Sequence, residues 1–250
     1  MRGNVQREEH HETRHLSSQP ERARFAVCFM PRPGSALATF GRSWFGRAND
    51  GATLQAFSAS GQNAFLDSTI SPFPDRYLGL HAPFVLPCAL RRDATLEKVR
   101  TRLANFAGRR KKVDSGPLTL TRAGRSHVLR PAEPRPEMSW LALQCFNAFE
   151  SFAAKPEKTD DTYPHLSAHQ RLLLKSFGQP NVMSEYRFSI RLTGPLHPAH
   201  LDRVSEALAP LVAGICAEGV CVDGLSLIAD TVSEDENSSL RPIGRYTLAG

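Results

Sequence analysis

The chain has 250 residues, 41% of them hydrophobic, which is enough to build the core of one large domain. Its 31 Lys and Arg against 25 Asp and Glu leave a net charge of +6, which favours anionic partners only mildly and does not separate a small phosphorylated ligand from nucleic acid. No run approaches the roughly 18 apolar residues of a membrane span, and the five cysteines are odd in number with no matched CxxC pairs, so a reduced, cytoplasmic protein is expected rather than a disulfide scaffold or zinc ribbon.

Residues 1–23 read as a disordered, solvated tail, charged throughout and without the apolar stretch of a secretory signal. Its His10, His11 and His15 invite a metal reading, but no cysteine or carboxylate cluster later in the chain completes a site, and no metal is expected. Order begins at RFAVCFMP, residues 24–31, an apolar run with an alternating Phe25, Val27, Phe29 row that predicts a buried strand. SALATFGRSWFGR follows, with Leu37, Phe40, Trp44 and Phe45 at helical spacing. Residues 50–75, rich in Gly, Ser and Pro, predict irregular connection, and RYLGLHAPFVL, residues 76–86, a second strand.

Asp93 is the predicted N-cap of a helix over ATLEKVRTRLANFAG, whose Leu96, Val99, Leu103 and Phe106 form one stripe and which stops at Gly108. The GRRKK run that follows has the composition of a phosphate or nucleic-acid patch, but is read as a solvated helix end, its cations complementing the negative pole of the helix dipole. PLTLTRAG and SHVLRP predict a hairpin, and MSWLALQCFNAFESFAA an apolar helix. The polar stretch KPEKTDD marks a change of composition between two halves, and SAHQRLLLKSFG is a short helix ending at Gly178.

EYRFSIRLTG, residues 185–194, alternates an apolar row (Tyr186, Phe188, Ile190, Leu192) with a polar one (Arg187, Ser189, Arg191, Thr193), the pattern of a strand with one buried face. A helix from Ala199 to about Gly214 and strands in VCVDGLSLIADTV and IGRYTLA, around the acidic loop SEDENSS, complete the chain. The two halves share an order of strand, helix and two further strands. This predicts an α+β domain over residues 24–250 with two lobes, residues 24–154 and 184–250, joined by a linker over 155–183.

Four segments, RFAVCFMPRPGSALATFGRSWFGR, LGLHAPF, LSAHQRLLLKSFGQPNVMSEYRF and RLTG, resemble the phosphonate-operon-associated family of the two-histidine phosphoesterase superfamily, in that family's order and spacing. The resemblance implies a bilobal fold in which two pseudo-symmetric antiparallel sheets line a cleft with helices outside. It also implies a His-x-Thr motif on one strand of each lobe. One imidazole of such a pair acts as base and the other as acid, the hydroxyls hold the phosphate, and no metal or other cofactor is used.

Carried over by position, the first motif falls on His81, Ala82 and Pro83, and the second on Ser189, Ile190 and Arg191. One histidine and both threonines are therefore replaced. Pro83 has no donor, and the hydroxyl of Ser189 does not exchange protons near neutrality as an imidazole does. General acid–base catalysis is worth roughly 10²–10⁴-fold, so a degenerate catalytic site at His81 is expected, with Arg187, Ser189, Arg191 and Thr193 kept for phosphate binding.

The residues leave three readings open. In the first, the protein binds a phosphorylated small molecule, with hydrolysis lost and a link to phosphonate metabolism. In the second, it is an active, metal-independent cyclic phosphodiesterase using His81 with a non-standard partner such as His127. In the third, it is a non-catalytic structural or regulatory partner. Neither a membrane nor a nucleic acid is an expected partner.

Overall fold

The computed structural model describes residues 23–45, 78–154, 166–231 and 239–250. Nearly all of the predicted tail, with its three histidines, the irregular stretch 50–75, the KPEKTDD segment and nearly all of the acidic loop lie outside the described residues. Nine strands are described: β1 (Arg24–Phe29), β2 (Ala82–Ala89), β3 (Val113–Asp114), β4 (Leu118–Ala123), β5 (Ser126–Pro131), β6 (Ile190–Arg191), β7 (Cys221–Val222), β8 (Gly224–Thr231) and β9 (Ser239–Thr247). The helices are α1 (Ala36–Phe45), α2 (Leu96–Ala107), α3 (Pro136–Phe149), α4 (Ala168–Phe177) and α5 (Leu201–Glu218).

The fold is α+β with antiparallel sheets. A four-stranded sheet has the order β2-β1-β8-β9, a three-stranded sheet the order β4-β5-β6, and β3 pairs with β7 in a two-stranded ribbon. Both larger sheets combine strands from residues 24–154 with strands from residues 184–250, set side by side. β1 is an interior strand buried on both faces, which is why its sequence is apolar without a polar row. Phe25, Val27 and Phe29 enter the main core with Val99, Leu103 and Phe106 of α2 and Leu141 and Phe149 of α3, while Ala26 and Cys28 join Met30, Leu78 and Ile228 on the other face. The main core runs on through Leu129 and Ile190 of the three-stranded sheet to Val204, Leu208 and Val212 of α5. Each such fully buried side chain contributes about 1.5–3 kcal/mol relative to exposure.

The local signals for helices operate largely as written. Ser167 and Gln170 form a reciprocal capping box at the start of α4, and Gly178 ends it at φ 73°. At α2 the cap is Thr95, whose hydroxyl accepts from the Lys98 amide, and not Asp93. The Asp93 carboxylate is held instead by Arg91, at 2.9 Å from Nε. α5 starts at Leu201 and runs past Gly214 to Glu218.

β2 begins at Ala82, later than its pattern predicts, because the chain turns at Gly79 with φ 72°. It is also an edge strand. Edge position is what accommodates Pro83 and Pro87, since a residue without an amide is tolerated where no ladder bond is required. Part of that edge is covered by Gln179, 5% exposed, whose Oε1 accepts from the Leu86 amide at 3.2 Å. Of the strand predicted over residues 185–194, only Ile190–Arg191 pairs. A 3-10 turn, Met183–Glu185, precedes it, and Tyr186 and Phe188 pack by their rings rather than by a backbone ladder.

Candidate functional site

The ring packing brings the two motif segments together. Phe84 of β2 lies 5.8 Å from Tyr186 and 6.1 Å from Phe188 between ring centroids, and Phe188 also meets Phe29 at 6.0 Å. His81 stands three residues before Phe84, and Ser189 directly follows Phe188. Leu80, Ala82 and Phe84 belong to the main core, whereas Pro83 is paired with Cys28 on the opposite face of the sheet.

His81 is half-buried, and its Nδ1 lies 2.9 Å from the Gly79 carbonyl. A carbonyl only accepts, so Nδ1 carries the proton and the neutral ring keeps its lone pair on Nε2. That is the tautomer in which Nε2 can take a proton.

On the second segment the register decides which side chains share a surface. Val128 of β5 pairs with Arg191, and Leu129 with Ile190. Residues opposite one another in an antiparallel ladder point to the same face. Leu129 and Ile190 face the helices in the main core, so Val128 and Arg191 point the other way, and the same register continued one step places Arg130 opposite Ser189. Thr119 and Thr121 of β4, paired with Arg130 and Val128, extend this face. The polar row of the sequence is therefore part of a broader cationic sheet face, on which Arg191 is exposed and Ser189 half-buried.

Arg130 was not singled out from the sequence. Its signal was present in SHVLRP, where Val128 and Arg130 alternate with His127 and Leu129, but only the pairing of β5 with β6 sets it beside Ser189. Burial, and then the charge of Arg187, lower the pKa of Arg130, and its Nε is buried without a hydrogen-bond partner. Arg187 donates through Nη1 to the carbonyls of Ser184 and Tyr186, both at 2.7 Å, which fixes its guanidinium near the chain. Thr193 is placed differently from the rest of its row. It is fully buried, and its Oγ1 accepts from the His127 amide at 2.9 Å, so the hydroxyl joins β5 to the chain after β6.

His127 itself lies on the helix side of the sheet. It is fully buried, paired with Arg122, whose guanidinium reaches Asp202 of α5. Neither ring nitrogen has a hydrogen-bond partner. Burial lowers its pKa first and the Arg122 charge second, against weaker opposite effects of the Leu201 main chain and Asp202. The structure thus places His127 on the face away from Arg191, not alongside it.

Comparison with known proteins gives likenesses of three kinds. A crystal structure of E. coli LigT complexed with 3'-AMP is 12% identical, with 93% of this chain and 100% of that chain covered and a TM-score of 0.42. A crystal structure of a phosphoesterase is also 12% identical, with the same coverage and a TM-score of 0.41. A curated relative, ribose 1,5-bisphosphate phosphokinase PhnN of Janthinobacterium sp. (strain Marseille), is 26% identical over 218 residues, which are 84% of this chain and 48% of the relative. The chain thus spans about half the length of that relative. Residues 79–237, which include His81, Arg130, Ser189 and Arg191, match the model of a family described as a protein of unknown function, DUF1045, and the chain belongs to the DUF1045 family.

Proposed function

We propose that this protein is a two-histidine-phosphoesterase-like protein that binds the phosphate of a small molecule on the sheet face formed by Arg130, Ser189 and Arg191, and that it has lost hydrolysis. The observation that carries this reading is the β5–β6 register, which sets Arg130 and Arg191 on one face with Arg187 close enough to lower the pKa of Arg130. Guanidinium groups clustered at one surface repel one another, and a phosphate relieves that repulsion while accepting two bonds from each fork. Thr193 supports this surface from beneath through its bond to His127. A role in phosphonate metabolism is part of the same reading, supported by the resemblance of the quoted segments.

Loss of hydrolysis follows from the residues at the motif positions. His81 can supply one proton-transfer group, but Ser189 stands where the second is needed and Pro83 and Arg191 where the hydroxyls are needed. A second reading, in which His81 still acts as a base, is favoured by its tautomer, with the lone pair on Nε2. His127 is not its partner in that reading, being buried on the helix side.

Thermal shift and turnover separate the two. Inorganic phosphate and a cyclic phosphodiester should raise the melting temperature by mass action, as RT ln(1 + [L]/Kd). Arg191→Ala or Arg130→Gln should remove the shift, Arg191→Lys should keep part of it, and added salt should weaken it. No product should form from the phosphodiester until Ser189→His, Arg191→Thr and Pro83→Thr are combined. A shift indifferent to both arginines refutes the phosphate-binding face. Wild-type turnover that disappears in His81→Ala refutes the loss of hydrolysis and establishes the second reading.

A further inference from the structure

The GRRKK run reads in sequence as a solvated helix end, and Arg110 does lie back on α2, its guanidinium carbon 4.7 Å above the Phe106 ring. Arg109, Arg110, Lys111, Lys112 and Arg135 together line an open cavity of about 560 Å³. Its other charged lining groups are two carboxylates, Asp114 and Glu137, and the Asp114 Oδ1 already accepts from the Gly116 amide at 2.6 Å. None of the five cations forms an ion pair among the described residues.

The cavity wall is built on fixed backbone. The basic run is tied by a bridge between Lys111 and Ala249 and by the Lys112 amide, which donates to the Ala249 carbonyl at 3.3 Å. It passes directly into β3, paired with β7. On the other side stands Arg135, at the start of α3. Its guanidinium packs against Gly116, where a Cβ would fall 1.7 Å from Nη2, so a larger residue at 116 would displace it. The Nε atoms of Arg110 and Arg135 are buried without a partner. Trp140 of α3 completes the lining with its side chain 60% exposed, a large aromatic surface left beside the cations.

Like charges held around one concavity repel, and the concavity concentrates their field, so the arrangement is stabilised by a ligand of several negative charges. A space of this size suits a small molecule. The indole beside it offers a stacking surface of the kind that holds a nucleobase. We propose that this cavity is a second anion site, separate from the Arg130–Arg191 sheet face, and that it binds a nucleoside diphosphate or triphosphate. The phosphates lie across Arg109, Lys111, Lys112 and Arg135, and the base lies against Trp140.

The test is titration of the full chain with ADP, inorganic pyrophosphate and adenosine, followed by calorimetry and tryptophan fluorescence. ADP should bind and quench fluorescence, pyrophosphate should displace it, and adenosine alone should not bind in the same concentration range. Lys111→Gln with Lys112→Gln, both exposed, and Arg135→Gln, half-buried, should weaken ADP binding by about tenfold or more, an effect of about 1.4 kcal/mol. Trp140→Ala should weaken ADP while leaving pyrophosphate unchanged, and the quench of fluorescence by ADP should persist in Arg191→Ala, which disables only the sheet face. No ADP binding at millimolar concentration would overturn the proposal. So would binding indifferent to the charge substitutions or lost in Arg191→Ala, or a single-stranded oligonucleotide that binds far more tightly than ADP.

Discussion

Three glycines with left-handed backbone allow a stability prediction in which the same substitution meets three different surroundings. Gly124 has φ 60°, Gly116 φ 59° and Gly219 φ 74°. At Gly124, in the β4–β5 turn, an added Cβ would meet nothing within 4 Å, so Gly124→Ala carries only the conformational cost, roughly 1–2 kcal/mol. At Gly116 the methyl would meet the end of the Arg135 side chain, which can swing away. The cost there should be close to that at Gly124, with the displaced guanidinium weakening ADP binding in addition. At Gly219 the methyl would lie 2.1 Å from the Gly116 carbonyl oxygen and 2.8 Å from its carbon. Backbone cannot yield as a side chain does, and ψ of −165° puts the residue in a region open essentially to glycine alone, worth about 1–3 kcal/mol by itself.

The loop around Gly219 is also bound closely, since Ser115 Oγ accepts from the Val220 amide at 2.9 Å and donates to the Gly116 carbonyl at 2.7 Å. Gly219→Ala should therefore cost more than about 3 kcal/mol, against roughly 1–2 for Gly124→Ala. With each kcal/mol shifting Tm by roughly 2–4 °C in a chain of this size, the two variants should melt several degrees apart. Urea unfolding at 25 °C supplies the free energies and calorimetry the melting temperatures. A Gly219→Ala protein that melts within about 2 °C of Gly124→Ala would refute the steric argument.

Gln179→Leu should destabilise by about 1–3 kcal/mol, because it leaves the Leu86 amide on the β2 edge without its acceptor; the urea midpoint and faster hydrogen exchange at Leu86 check this. Burial of His127 lowers its pKa below the ordinary 6.5, so the unfolded chain takes up that proton first. Stability should be fully present above about pH 6.5 and decline as pH falls toward the folded-state value. The decline should be shallower in His127→Gln, measured as urea midpoints from pH 7.5 to 5.

Much of the candidate site was legible in the sequence as residue types. The resemblance selected His81 and Ser189, and alternation set Arg191 and Ser189 on one side of a strand. Arg130 and the cavity around Trp140 were not legible, because a strand's alternation shows which of its residues share a face and says nothing about the neighbour beside it. Arg130 is set on the Arg191 face only by a pairing between residues some sixty positions apart. The basic run likewise acquires a partner wall only because α3 starts beside β3.

What the sequence determined by itself was local. The capping box at Ser167 and Gln170, the stop at Gly178, the stripe of α2, the doubly apolar β1 and the β4–β5 hairpin all arise from interactions within a few residues, where helix and strand periods and turn chemistry govern. What only the tertiary structure decided was long-range: β1 between β2 and β8, Pro83 and Pro87 on an edge, Thr193 turned inward to His127, and five cations gathered around one cavity. These depend on which apolar faces bury one another. Many pairings satisfy the same local pattern, and a single packing of the whole chain distinguishes among them.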